Sequence, residues 1–296
     1  MPPSDNTGPY TLTYQGQPGA FSEDAALGFV SEGTPLVPSR TLQDAFEAVE
    51  SGRADRALLP VENTLAGPID ETFDRMSESA LVIVDETVLP IFHCLIAPEG
   101  TTLGDVRKVY SHPIALAQCA GYLAAHPDWE AVPAFDTAGA VEMIIRDGMP
   151  VSAAIASARA ARVYKGTILR EGIQDHPENY TRFLMFARPG EGSPAPGSGV
   201  VKTSICLRVA HADRRSFGVL RPFVERRVPL THVLSRPVAG SPDESTYHVD
   251  FIGTLNMPAV AAAMEELRKG TPSVKILGTY PLRVATIREV VRSGMP

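Results

Sequence analysis

Between Arg188 and Gly199 the chain reads RPGEGSPAPGSG, a run with no aromatic or branched aliphatic side chain. Such a tract cannot bury a core and behaves as a linker. It divides 296 residues into stretches of about 190 and about 100, so two separate cores are required. The resulting expectation is a first domain over 10–187, a linker over 188–200 and a second domain over 201–285. Residues 1–9 are polar and rich in proline and glycine, and are expected to lie outside the first core.

The first stretch alternates strand-like and helix-like segments. TLTYQG reads as a strand entering a Gly/Pro turn, and helical apolar spacing follows from Phe21 to Phe29. In LQDAFEAVESG, Leu42, Phe46 and Val49 share one helical face, with Thr41 as the expected cap and Gly52 as the stop. ADRALLPVEN reads as a strand ending at Pro60, and LVIVDETVLPIFHCLIA as two strand pieces. VRKVYSHP, ALAQCAGYLAAH, TAGAVEMIIRDG, VSAAIAS and SARAARVYK continue the alternation as strand, helix, helix, strand and helix. This order predicts an α/β sheet with ligands at the carboxyl ends of its strands. Beyond the linker, TSICLRV, SFGVLRPFVERR, THVLSRP, TYHVDFIG, PAVAAAMEELRKG and SVKILGTY give βαββαβ, the ferredoxin-like split unit.

Charge and composition narrow the function classes. The net charge is −7 with a pI near 5.5, and lysine and arginine form no run longer than adjacent pairs such as Arg214–Arg215 and Arg226–Arg227. Nucleic acid is therefore not an expected partner, and an anionic ligand must be held by local groups. No apolar run reaches the ~20 residues of a membrane span. MPPSDNTGPY lacks the basic and apolar regions of a signal peptide. Cys94, Cys119 and Cys206 are odd in number, widely spaced and set in apolar runs, so free buried thiols in a cytoplasmic protein, and no metal site, are expected.

Five polar segments fall at predicted strand ends, where such folds place ligand contacts. QGQPGAFSEDAA brings Gly19 and Ser22 to a helix start, either as an anion contact or as a simple turn with Ser22 as N-cap. LPVENTLAGPID sets Glu62, Asn63, Thr64 and Gly67 after an apolar strand, as a polar ligand surface or an ordinary loop. SHPIALAQC offers Ser111, His112 and Gln118, with Pro113 opening a helix. AAIAS ends in Ser157 and is equally explained by packing. ENYTRF supplies Asn179, Thr181, Arg182 and Phe183, where Arg182 either forks onto a carboxylate or starts an exposed strand. The spacing is neither a dinucleotide fingerprint nor a phosphate-binding loop.

GQPGAFS, PVENT, SHPIALAQ and NYTRF occur in the order found in prephenate dehydratases, and residues 10 to about 187 resemble that family. Thr64 stands where the family has Ser, and Ile114 where it often has Gln. The resemblance implies a catalytic domain of two α/β lobes like a periplasmic binding protein, crossed near 85–95 and 160–175. It implies conversion of prephenate to phenylpyruvate, CO2 and water in L-phenylalanine biosynthesis, without a cofactor or metal. Thr181 would be the proton donor. Gly19, Ser22, Glu62, Asn63, Thr64, Gly67, Ser111, His112, Gln118, Asn179, Arg182 and Phe183 would hold the substrate. Arogenate dehydratases, which take the amino analogue, share these motifs. A ligand sensor without activity would have no need of Thr181.

The second stretch resembles an ACT-type regulatory domain, which in this family binds L-phenylalanine and assembles a homodimer or homotetramer. Ser235, Arg236 and Pro237 match its effector motif, but Leu234 replaces a glutamate. Arg214 and Arg215 stand where Gly-Ala is expected, unless a gap brings Gly218 there. The resemblance therefore implies an altered effector site.

Overall fold

The computed structural model describes residues 10–283, apart from 32, 192–198, 211–215, 239 and 272. Most of the expected linker, and Arg214 and Arg215, lie outside the described residues.

The first lobe contains β1 (Leu12–Gln15), α1 (Phe21–Leu27), β2 (Leu36–Ser39), α2 (Leu42–Glu50), β3 (Arg56–Asn63), β4 (Gly67–Pro68), α3 (Asp70–Glu78) and β5 (Val82–Pro90). The second contains β6 (Cys94–Ala97), β7 (Lys108–Ser111), α4 (Pro113–Gln118), α5 (Ala120–Ala124), β8 (Glu130–Pro133), α6 (Thr137–Arg146), β9 (Ser152–Ala156), α7 (Ala158–Tyr164) and β10 (Thr167–Glu171). The chain then returns to the first sheet as β11 (Tyr180–Ala187). The sheets run β2-β1-β3-β11-β5, with β4 on β3, and β10-β6-β9-β7-β8. Two α/β lobes joined by two crossings form the arrangement expected of a periplasmic-binding-protein-like domain.

Local chemistry explains most boundaries. Thr41 and Asp44 close a capping box at α2, worth about 1 kcal/mol. Three sequence expectations need correction. β3 runs through Pro60 to Asn63; its ladder with β1 ends at Leu58, so the missing N–H breaks no pairing on that side. The helix expected over ALAQCAGYLAAH is two, broken at Cys119, whose ψ of 21° leaves the helical range. The return crossing lies at 172–179, later than 160–175, because β10 adds an unforeseen antiparallel strand beside β6.

Gly19 shows why glycine is needed in the β1–α1 turn. Its φ is +89°, and an added Cβ would lie 2.7 Å from Ala160 Cα. The Ser157 hydroxyl donates to its carbonyl at 2.6 Å, and Arg159 pairs with Glu23 at 2.5 Å. Gly19 is thus a joint between β1–α1 and α7.

By packing, residues 10–72 and 87–183 form one compact unit, and residues 73–86 and 184–283 form another. The second unit contains β12 (Val201–Ala210), a 3-10 turn over Ser216–Leu220, α8 (Arg221–Glu225), β13 (Leu230–Val238), β14 (Ser241–Ile252), α9 (Pro258–Gly270) and β15 (Ser273–Pro281). Its antiparallel sheet has the order β13-β14-β12-β15, the ferredoxin-like arrangement. The helix expected over SFGVLRPFVERR is confined to α8 after the 3-10 turn, with Pro222 in its first turn. Ile205, Tyr247, Phe251, Phe223 and Met264 build the core.

Residues 73–86 belong to this unit through specific ties. Lys275 Nζ donates to the carbonyls of Met76, Ser77 and Ser79, capping the carboxyl end of α3. Lys202 pairs with Glu86 at 2.6 Å in a buried setting, and Arg283 reaches Asp85 at 2.6 Å.

His248 lies beneath α3, 4.9 Å from Phe73 between ring centroids. The Ser77 hydroxyl donates to the Phe73 carbonyl, so at 3.3 Å it accepts from His248 Nε2. Burial, then Arg236 and His232, push the His248 pKa down to about 4, against the opposing pull of Asp250 and Asp74. The unfolded chain takes up this proton near pH 6.5, whereas the fold resists until about pH 4. Between those values the unfolded state binds more protons, so stability falls as pH falls. The wild type is expected to lose about 3 kcal/mol more than His248→Gln between pH 7 and pH 4. Denaturant titration at both pH values measures this, and equal losses would refute it.

Candidate active site

A cavity of about 360 Å³ opens in the first unit. Its wall is built from strand ends and the loops after them. β1 leads to Ser22, β3 to Asn63, the first crossing to His93, and β7 to His112 and Gln118. β8 leads to Phe135, Asp136 and Thr137, and β11 supplies Thr181 and Phe183. Among the described residues, no lysine or arginine lines it. A carboxylate held here would rely on N–H and O–H donors.

Asn63 organises the polar wall. Its Oδ1 accepts the backbone N–H groups of Leu65 and Ala66 at 3.0 and 2.9 Å, which fixes the orientation of the amide. The opposite Nδ2 therefore donates, reaching Asn179 Oδ1 at 2.7 Å, the Tyr180 carbonyl at 3.1 Å and Thr181 Oγ1 at 3.0 Å. Because Thr181 accepts this bond, its own proton is left for a group in the cavity.

The same logic runs outward. Gln118 Nε2 donates to Asn63 Oδ1 at 3.3 Å, so Gln118 Oε1 must accept. It does so from Asn179 Nδ2 at 3.0 Å and from His93 Nε2 at 2.9 Å. His93 thus carries its proton on Nε2. Burial holds its pKa below the usual imidazole value, opposed by the bond to Gln118. Among the described residues, His93 Nδ1 has no hydrogen-bond partner, as suits a neutral ring.

Burial also lowers the His112 pKa, and the charge of Asp136 opposes it. His112 caps α4, with Nδ1 accepting the Ile114 N–H at 3.2 Å, so its Nε2 carries the proton. Asp136 caps α6 through Gly139 N–H.

Of the residues singled out in the sequence, Ser22, Asn63, His112, Gln118, Thr181 and Phe183 line the cavity. Asn179 is fully buried behind it. Thr64 clamps the 178–180 segment: its hydroxyl accepts the Tyr180 N–H and donates to the Glu178 carbonyl. Ser111 is spent inside the second lobe, donating to the Ile155 carbonyl at 2.6 Å. Gly19, in a turn, and Gly67, at the start of β4, have positive φ and do not line the cavity.

Arg182 is not among the residues that line the cavity. Successive residues of a strand face opposite sides, and Thr181 and Phe183 take the cavity side of β11. Arg182 therefore points away, pairing with Glu62 at 3.1 Å. Glu62 is likewise a partner of Arg182 rather than part of the wall.

The sequence reading missed His93 and Asp136. His93 sits inside an apolar run that reads as strand, and its polarity there was the available signal. Asp136 directly precedes a helix pattern after a strand, the position of both a cap and a ligand contact.

In the second unit, Arg236 pairs with Asp74 and lines a separate cavity of about 810 Å³ with His248 and Lys275. Ser235 lies opposite Tyr247 in the β13–β14 ladder. Cys94, Cys119 and Cys206 are buried and free, and burial pushes the Cys94 thiol up to about 11. Among the described residues no group of three His, Cys, Asp or Glu is arranged to hold a metal ion, and no helix is long and apolar enough to cross a membrane.

Known proteins resemble this chain along most of its length. The family model for prephenate dehydratase matches residues 12–191. Arogenate dehydratase 5, chloroplastic, of Arabidopsis thaliana is 39% identical over 292 residues, covering 92% of this chain and 67% of the relative. The bifunctional N-acyl-homoserine lactone acylase/prephenate dehydratase of Komagataeibacter europaeus is 34% identical over 270 residues, covering 91% of this chain and 95% of its own length. The crystal structure of prephenate dehydratase from Arthrobacter aurescens in complex with L-Phe aligns with a TM-score of 0.83 at 28% identity, covering 96% of this chain and 98% of that one. With the four motifs gathered on one fold and matched along nearly their whole span, the chain belongs to the prephenate dehydratase family.

Proposed function

We propose that this chain removes CO2 and water from a cyclohexadienyl acid, prephenate or its amino analogue arogenate, with Thr181 as the proton donor. The observation that carries this reading is the Asn63 amide donating to Thr181 Oγ1 on the cavity wall. A hydroxyl whose oxygen already accepts a bond is oriented to donate, and that bond also eases loss of its proton.

The chemistry needs little else. As the ring carboxylate leaves as CO2, its C–C bond pair enters the ring and the ring C–O bond breaks. The departing hydroxide takes a proton and leaves as water. Aromatisation supplies the driving force, and the difficult event is departure of a poor leaving group. A positioned acid contributes ~10²–10⁴-fold to such a step. One proton is consumed per turnover, so Thr181 must be recharged from solvent. Ser22, Thr137 and His112 on the wall supply donors for the side-chain carboxylate. The ring carboxylate is better left weakly held, because its charge vanishes in the transition state.

Incubating the purified protein with prephenate and with arogenate tests the reading. Phenylpyruvate should form from the first or phenylalanine from the second. Absence of both products would end it.

The ferredoxin-like unit is further proposed as an ACT-type regulatory domain that assembles a homodimer or homotetramer. Leu234 offers no acceptor for an ammonium group where the family motif has a glutamate. Loss of one charged hydrogen bond costs about 1.5–3 kcal/mol, so affinity for L-phenylalanine should be roughly ten- to hundredfold weaker than with a glutamate there. Calorimetry comparing the wild type with Leu234→Glu should show this gain in the variant. Equal affinities would place the effector elsewhere.

A further inference from the structure

Among the described residues, the cavity wall carries one carboxylate, Asp136, and no lysine or arginine. Only half of that carboxylate is used by the fold. Its Oδ1 accepts the Gly139 N–H as the N-cap of α6. Among the described residues, its Oδ2 makes no hydrogen bond. His112 is an opposing group that acts on Asp136, and burial disfavours its charged form.

This arrangement suits the two candidate substrates unequally. Prephenate brings two carboxylates and a keto group, so it adds negative charge and no positive charge beside Asp136. Arogenate carries an ammonium in place of the keto oxygen, with three N–H donors. An ammonium near Oδ2 would gain a charge-assisted bond to this half-buried carboxylate. Capping does not itself require the acid, because Ser and Asn cap helices as well as Asp.

We propose that Asp136 is a specificity-determining residue that recognises the ammonium group of an amino-acid substrate, so that this chain prefers arogenate to prephenate. The proposal rests on the dehydratase reading above and names which form of the substrate the same cavity takes.

The test is kcat/KM for both substrates in the wild type, Asp136→Asn and Asp136→Ser, the two variants that keep a capping side chain. The wild type should favour arogenate by about tenfold or more, the usual worth of one charged hydrogen bond. Both variants should lose about tenfold on arogenate, and prephenate turnover should rise as repulsion is removed. A wild-type preference for prephenate would overturn the proposal, as would variants that change both substrates by the same factor. If the wild type turns over neither substrate, the dehydratase reading itself fails, an outcome distinct from a lost preference.

Discussion

Thr181→Ala is expected to fold like the wild type and to lose kcat by about 10²-fold or more, with KM little changed. Thr181 is mostly buried on β11, and its oxygen accepts a bond from Asn63 Nδ2 at 3.0 Å. That bond settles the direction of the hydroxyl. Removing the hydroxyl deletes a proton donor needed only as the C–O bond breaks, so the loss should fall on turnover. It also frees little, because Asn63 Nδ2 keeps Asn179 Oδ1 and the Tyr180 carbonyl as acceptors. Thr181→Ser retains the hydroxyl and should recover most of the rate. Thr181→Val, of the same shape without the donor, should behave like Ala. Steady-state kinetics on the three variants, with melting curves to confirm folding, decide the point. Near wild-type turnover in Thr181→Val would remove Thr181 from the chemistry.

How far the site could be read in advance depended on the kind of information each residue carries. Asn63 and Thr181 are 118 positions apart, yet both were visible because each ends or begins an apolar strand in a recognisable motif. The direction of Arg182 was not visible. A strand pattern says that neighbours alternate, but not which face looks into the cavity, and β11 has partner strands on both sides. The ENYTRF segment suggests a carboxylate partner for Arg182; the folded chain supplies one of its own, Glu62. Thr64 and Ser111 are hydroxyls at strand ends in the sequence, but their bonds go to backbone of the 178–180 segment and of β9, which only the folded chain brings near. His93 was hidden because its neighbours are apolar and its partner Gln118 lies 25 positions away. In the second unit, the βαββαβ order was legible from strand and helix periodicity. The assignment of residues 73–86 to that unit was not, because it rests on Lys275, Lys202 and Arg283 meeting groups far off in sequence.

Asn63→Asp should be as damaging as loss of Thr181, although it changes one atom type. The backbone N–H groups of Leu65 and Ala66, with Gln118 Nε2, claim one oxygen. The second carboxylate oxygen then replaces Nδ2, facing Asn179 Oδ1, the Tyr180 carbonyl and Thr181 Oγ1. Two of these can only accept, so the pairs become repulsive. Each buried acceptor left without a donor costs about 1–3 kcal/mol, and the melting temperature should fall. The third partner, Thr181, would rotate to donate its proton to the new carboxylate, turning away from the substrate. kcat should therefore drop by about 10²-fold. Combining Asn63→Asp with Thr181→Ala should add little beyond either alone, because the two act as one unit. The pH dependence supplies a further check. Burial and the facing acceptors favour the neutral acid, which raises the pKa of the new carboxyl. Its protonation restores a single donor, so activity relative to wild type should rise as pH falls. A variant with wild-type kcat, or one whose loss multiplies with that of Thr181→Ala, would show that Asn63 does not set the direction of the Thr181 proton.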